Sequence, residues 1–308
     1  MIPKDPVQVV EVGPRDGLQN LNDYVETEKK ISLIRRLADS GLKEIEVGSF
    51  VHPKAIPQFR DMKEVVDGVM GLEGVRLTAL VPNLKGAQNA FQSGIRRIIF
   101  VFSISRSHNL NNVRRTPEES LEELKKIKEL SSSYPEAEIR VDLATTFGCP
   151  FEIKVRKDDV LDYIERVKEL GIREMTLCDT VGFGNPRQVT DITTTSMQSF
   201  PEITFGAHFH DTRGLGLANA LAAYESGIRS FDSSIAGLGG CPFAPGASGN
   251  VATEDMVFMF NEMGVETGVD LDRLIGVSRY LSDILPDVNL TSALSRAGLP
   301  GGGGAVSQ

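Results

Sequence analysis

Long apolar runs are missing from this chain of 308 residues. None approaches the roughly 20 residues that a membrane-spanning helix needs, so no membrane association is expected. Cysteine is scarce, with three residues and no Cys-x-x-Cys pair. That argues against a disulfide framework and, with strand-like sequence beginning at about residue 7, for a cytoplasmic, reducing setting without a leader peptide. Positive charge is also short: 33 Lys and Arg stand against 42 Asp and Glu, a formal net charge of -9. Nonspecific nucleic-acid binding is excluded on that balance, although a local pocket can still be basic. Finally, the Gly-x-Gly-x-x-Gly spacing of a dinucleotide loop is absent after the first strand, where the text reads GPRDGLQ.

What the chain does have is alternation. Short apolar strands are expected at 7–12, 44–47, 75–81, 97–102, 138–144, 174–178, 203–209 and 231–235. Helical patterns follow near 26–39, 56–67, 84–93, 117–131, 158–170, 187–199, 213–226 and 251–263, with a further helix at about 270–285. Largely apolar strands covered by helices make a parallel sheet, and repeated strand–helix units of this number predict an α/β fold, a (β/α)8 TIM barrel with an additional C-terminal helical segment. An open doubly wound sheet is the alternative, because strand count does not prove closure. Gly41-Leu42, Gly94-Ile95, Gly171-Ile172 and Gly227-Ile228 repeat one helix-ending device that feeds a strand. Thr116, Pro117 and Glu119 have the spacing of a capping box with proline at the first helical position. The chain reads as one domain over residues 1–297, followed by a flexible Gly-rich tail at 298–308.

Histidine is rare too, and two of the four are His208 and His210 in ITFGAHFHDTRG. Alternate strand residues share a face, so the pair forms the short-range half of a divalent-metal site, or else two hydrogen-bonded polar residues at a strand end. In a barrel, ligands meet the C-terminal ends of the strands. That rim would gather Arg15 and Asp16 after the first strand, Glu46 and Ser49 at the second, and Asp142 in the fifth. Asp179 follows the sixth, the histidines end the seventh, and Cys241 and Asn250 lie in the glycine-rich loop after the eighth. Asp16, His208, His210 and Asn250 offer nitrogen and oxygen donors suited to an octahedral Mg²⁺ or Mn²⁺. Arg15 can neutralise charge on a substrate oxygen, and Cys241 can exchange a proton if its pKa suits. Cys149 and Cys178 read as small core or rim residues, and His52 and His108 as exposed or locally hydrogen-bonded.

Seven segments, VEVGPRDGLQN (10–20), EIEVGSF (44–50), LVPNLKG (80–86), FGCP (147–150), CDTVG (178–182), HFHDTRGLGLAN (208–219) and SSIAGLGGCPFAPGASGNVATED (233–255), resemble the 3-hydroxy-3-methylglutaryl-CoA lyases among the metal-dependent DRE-type barrels. They occur in family order across nearly the whole chain. The resemblance implies retro-Claisen cleavage of 3-hydroxy-3-methylglutaryl-CoA, or a close 3-substituted analogue, to acetyl-CoA and a 3-oxo acid. It implies Asp16, His208, His210 and Asn250 as metal ligands, and Arg15, Cys241, Asp179, Glu46 and His208 in catalysis. Arg15, Gln19, Ser49, Asp142 and Arg106 would contact the acyl-CoA, and a homodimer is expected. The rival activities are Claisen-type condensation of an acyl-CoA with a 2-oxo acid and aldol cleavage of a 4-hydroxy-2-oxo acid; a scaffold without activity is the third. Two positions depart from the family pattern: Asp142 replaces a tyrosine, and Arg106 replaces the glutamate that follows Ser105. Both changes are expected to bear on the C3 substituent.

Overall fold

The computed structural model describes residues 4–239 and 249–300. Eight parallel strands close into a barrel in sequence order: β1 (Gln8–Glu11), β2 (Glu44–Ser49), β3 (Arg76–Leu80), β4 (Arg97–Ser103), β5 (Glu138–Ala144), β6 (Glu174–Asp179), β7 (Thr204–Phe209) and β8 (Ser230–Ser233). Closure is made by β1 against β8, with Gln8 opposite Ser230 and Glu11 opposite Ser233. The open-sheet alternative is thereby removed.

The surrounding helices in chain order are α1 (Thr27–Asp39), α2 (Met62–Val69), α3 (Leu84–Gln92), α4 (Arg106–Val113), α5 (Pro117–Ser131), α6 (Lys157–Glu169), α7 (Pro186–Ser199), α8 (Gly216–Glu225), α9 (Thr253–Glu262), α10 (Leu271–Ile284) and α11 (Ala293–Ala297). None of the described helices is long and apolar enough to cross a membrane. Each main helix turns an apolar stripe inward; in α1, Ile31, Leu33, Ile34 and Leu37 are buried at helical spacing. The expected capping box is present: Glu119 N donates to Thr116 Oγ1 at 3.1 Å and Thr116 N donates to Glu119 Oε2 at 2.7 Å. Gly94 and Gly171 end their helices at φ +100° and +80°, a region closed to most side chains.

Two expectations shift. The helix expected at 56–67 is a short 3-10 turn, Pro57–Phe59, before α2, because Pro57 begins a new turn and cannot donate to an earlier carbonyl. The helix α4 was not foreseen: its Arg-Ser-His-Asn-Leu-Asn-Asn text has no apolar stripe, and Ser105 and tertiary bonds hold it. The C-terminal helical segment is as expected, and two acidic residues of α9 fasten it. Asp255 accepts from Ala293 N and Leu294 N at 2.8 Å each, and buried Glu254 accepts from the hydroxyls of Ser278 and Ser295. Most of the expected tail, from residue 301 on, lies outside the described residues.

Candidate active site

Beyond β1 the chain makes a single π-helical turn, Gly13–Gly17, that carries Arg15 and Asp16 onto the C-terminal rim. The turn is tight enough to require glycine at both ends. A Cβ on Gly13 would stand 2.6 Å from Glu11 Oε1, and one on Gly17 would stand 2.9 Å from the Leu238 side chain. Glu11 anchors the turn from below: its Oε1 accepts from Gly13 N at 2.7 Å and Ile235 N at 2.8 Å, and its Oε2 accepts from Thr253 Oγ1 at 2.7 Å. The carboxyl is fully buried, and burial, opposed by these hydrogen bonds, pushes its pKa up to about 8. One side chain thus ties β1 to the segments after β8.

On the opposite side of the seam, residues 249–252 run beside the end of β7. Asp211 N donates to Gly249 O, Val251 N donates to Phe209 O, and His210 bridges with Asn250. These bonds set Asn250 next to the histidine pair. Ligand atoms of Asp16, His208 and His210 all lie within 4.8 Å of one another. Asp16 Oδ2 is 3.9 Å from His208 Nε2 and 3.7 Å from His210 Nε2. Those spacings are too long for hydrogen bonds and suit donors that face a common cation. Asn250 Nδ2 donates to the same Asp16 oxygen at 3.0 Å, while its buried Oδ1 has no hydrogen-bond partner among the described residues. An orphaned amide oxygen, two imidazoles and a carboxylate form a donor set that fits a divalent ion of the Mg²⁺ or Mn²⁺ type.

Charged groups surround this set. Arg15 Nη1 bonds Asp16 Oδ1 at 2.6 Å, and its Nε meets Glu46 Oε2 at 2.8 Å. Deeper in the barrel Arg140 lies between two carboxylates. Its Nε meets Asp142 Oδ1 at 2.9 Å, and its Nη1 and Nη2 donate to Asp232 at 3.0 and 2.8 Å. Asp232 Oδ2 in turn lies 3.3 Å from His208 Nδ1. Two guanidiniums therefore serve four acidic groups, Asp16, Glu46, Asp142 and Asp232, and the titration directions differ among them. Burial pushes Glu46 up to about 8, with Arg15 and Arg140 opposing. Burial also raises Asp142, and Asp232 adds to the rise. For Asp16 burial acts upward, but Arg15 and the imidazoles overcome it and hold the carboxyl well below the usual range.

Part of this cluster lines a cavity of about 600 Å³, with Glu46, Arg140, Asp232 and Asn250 set behind its wall. Arg15, Asp16, Gln19, Ser49, Asp142, His208 and His210 all face it. Ser49 Oγ is buried without a hydrogen-bond partner among the described residues, so it can serve a ligand. Glu46 is absent from the wall and meets it only through Arg15. Asp179 stands apart: its Oδ1 and Oδ2 accept from Phe183 N at 2.8 Å and Gly184 N at 2.9 Å, bracing the loop after β6. Arg106, expected at the acyl pocket, is instead outside the cavity wall, with its side chain 63% exposed and paired to Glu118 at 3.3 Å. Its place at the start of α4 directs it toward α5 and solvent. Cys241 lies outside the described residues.

Two wall or floor residues escaped the sequence reading. His108 is locally hydrogen-bonded, one of the two expected states, with Nδ1 2.6 Å from Ser103 Oγ; what was not expected is that it is buried and lines the cavity. The signal for it was the long stretch between β4 and α5, since long loops on this face of a barrel carry function. Arg140 was legible from the EIRVDLA strand, where Arg140 and Asp142 must share a face of an otherwise apolar element.

Comparison with known proteins gives a consistent result. The HMGL-like family model matches residues 6–281. A hydroxymethylglutaryl-CoA lyase of Bacillus subtilis is 43% identical over 90% of this chain and 92% of its own length. An (R)-citramalyl-CoA lyase of Chloroflexus aurantiacus is 39% identical over 91% of this chain and 92% of its own. Among solved structures, an HMG-CoA lyase of Acinetobacter baumannii in complex with coenzyme A and 3-methylmalate superimposes with a TM-score of 0.91 at 45% identity, covering 97% of each chain.

Proposed function

The chain belongs to the HMGL-like family, and on that footing we propose that it is a carbon–carbon lyase that cleaves 3-hydroxy-3-methylglutaryl-CoA, or a close 3-substituted analogue, to acetyl-CoA and acetoacetate or the matching oxo acid. The observation that carries the reading is the Asp16–His208–His210 set sharing one cavity wall with Arg15. Asp16, His208, His210 and Asn250 would hold a divalent ion, Mg²⁺ or Mn²⁺. When bound, such an ion polarises the tertiary hydroxyl of the substrate and eases loss of its proton.

Cleavage breaks the C2–C3 bond, turns the C3 hydroxyl into a carbonyl with release of its proton, and leaves the electron pair on C2 of the departing acetyl thioester, which takes up one proton in exchange. Arg15 would receive the negative charge that this pair delocalises onto the thioester oxygen. Glu46, wholly buried at 2.8 Å from Arg15 Nε, holds the guanidinium fork in one orientation. Gln19 and Ser49 would orient the acyl-CoA along the wall. Cys241 is assigned the proton that C2 takes up, on the resemblance of its GGCPFAPGASGN loop to the lyases. A cytoplasmic homodimer remains the expectation for the assembled enzyme.

The test is a product assay with Mg²⁺ or Mn²⁺ present. Release of acetyl-CoA and acetoacetate from 3-hydroxy-3-methylglutaryl-CoA is the expected result. The Chloroflexus relative makes (R)-citramalyl-CoA the second substrate to include. Condensation of acetyl-CoA with a 2-oxo acid as the sole activity would replace the lyase reading with the synthase one. Cleavage of 4-hydroxy-2-oxo acids alone would replace it with the aldolase one.

A further inference from the structure

We infer that Asp142 is a specificity-determining residue, and that the part of the cavity it faces is built for a neutral, hydrogen-bond-donating substituent at C3 of the substrate, such as hydroxymethyl. The inference rests on the proposed lyase reading and refines its substrate class.

Asp142 is in β5, only 3% exposed, and contributes to the cavity wall beside Ala144, Cys178 and Thr180. Its carboxylate cannot swing away. Arg140 grips it side-on, Nε to Oδ1 at 2.9 Å and Nη2 to Oδ2 at 3.1 Å. Arg140 is itself fastened on its other edge by Asp232 at 3.0 and 2.8 Å. Only Oδ2 accepts a hydrogen bond from Arg140; Oδ1, though 2.9 Å from Nε, is buried without a hydrogen-bond partner among the described residues. An unsatisfied acceptor on the cavity wall is what a donor on a ligand can meet.

Three properties of this wall select a ligand group. It accepts hydrogen bonds, because Asp142 offers oxygen lone pairs in either protonation state. It disfavours anions, because three acidic groups, Glu46, Asp142 and Asp232, face the two guanidiniums of Arg15 and Arg140, which already pair with them and with Asp16. It has room, because the neighbours Ala144, Cys178 and Thr180 are small. Burial raises the Cys178 thiol well above its ordinary range, with Asp142 and Asp232 adding to the rise, so sulfur contributes a neutral surface. A methyl group at this wall leaves a desolvated acceptor without a donor. A hydroxymethyl group supplies one. The free carboxylate of the substrate must lie against another part of the cavity.

The experiment compares kcat/KM for CoA thioesters of 3-hydroxyglutarate that carry methyl or hydroxymethyl at C3, with Mn²⁺ present. The wild-type chain is expected to prefer the hydroxymethyl compound by about tenfold or more, the scale of one hydrogen bond to a charged group. In Asp142→Ala that ratio should fall to about one or below. Because Ala leaves Arg140 short of a partner, a thermal melt accompanies each variant, and Asp142→Asn replaces it if it does not fold; there the ratio should shrink. A wild-type enzyme that turns over the methyl compound as well or better overturns the specificity inference while leaving the lyase reading standing. An unchanged ratio in the folded variant overturns the assignment to Asp142. Failure to cleave either thioester would overturn the lyase reading itself, and this inference with it.

Discussion

Asp232 Oδ2 stands 3.3 Å from Nδ1 of His208, and that contact decides which ring nitrogen is left for the rim. With Nδ1–H donating to the carboxylate, Nε2 keeps its lone pair and faces Asp16. Asp232 is held in turn by Arg140, so the orientation of this rim imidazole is set from the barrel interior. Replacing Asp232 with Asn keeps the shape but weakens the acceptor. Mn²⁺ affinity measured by calorimetry should fall by about 10–100-fold. An affinity within threefold of wild type would show that the ring is oriented by other means.

Removal of the ion is the simplest check on the donor set. Dialysis against a chelator should abolish cleavage, and adding back Mg²⁺ or Mn²⁺ should restore it, because the hydroxyl then regains its polarising partner. Full turnover by protein shown to be metal-free by elemental analysis would contradict the proposed chemistry.

Arg15 touches both Asp16 and Glu46, yet its proposed task is charge on the substrate. Arg15→Met should lower kcat by about 10²–10³-fold, the usual cost of removing one donor to a developing oxyanion. The same variant should bind Mn²⁺ with little change. A loss confined to metal affinity would make Arg15 a support for Asp16 alone.

Glu11 gives the fold a pH dependence of definite sign. Its folded pKa is raised from 4.5 to about 8 by burial. Below about pH 4.5 the folded and unfolded chains both carry the proton, so its stabilising bonds are fully present. As pH rises the unfolded chain releases that proton first, and stability is lost progressively up to about pH 8. Glu11→Gln removes this one titration, and the amide can still accept from the two backbone N–H groups. Urea unfolding between pH 5 and 8 should therefore be less pH-dependent in the variant, by up to about 1.4 kcal/mol per pH unit for one proton. Parallel stability curves for the two proteins would refute the assignment.

The barrel was readable because periodicity and punctuation act locally. An apolar run such as RIIFVF, bounded by Gly94 and Ser103, prefers a buried strand whatever lies beyond it. Thr116 and Glu119 close a helix end within four residues of chain. The histidine pair was readable for a similar reason, since alternation on a strand puts His208 and His210 on one face before any fold is known. What local pattern cannot carry is the direction of a side chain after its strand ends. Arg106 and His108 are two residues apart on α4, a helix without an apolar stripe, and only tertiary bonds decide their fates. Ser103 and the cavity take His108 inward, while Glu118 on α5 takes Arg106 outward.

The sequence by itself determined the alternation of elements, the closing number of strands and the residue types needed at the rim, because each depends on spacing within a few residues. Closure of β1 on β8 then decided what those residues could do together. Asp16 and Asn250 are far apart in the chain, and only that seam brings them to 3.0 Å. The tertiary structure also decided that Arg140 divides its guanidinium between Asp142 and Asp232, a competition fixed by burial of all three in one interior. Charges in water would be screened and free to rearrange, whereas inside the barrel each must find its partner across strands.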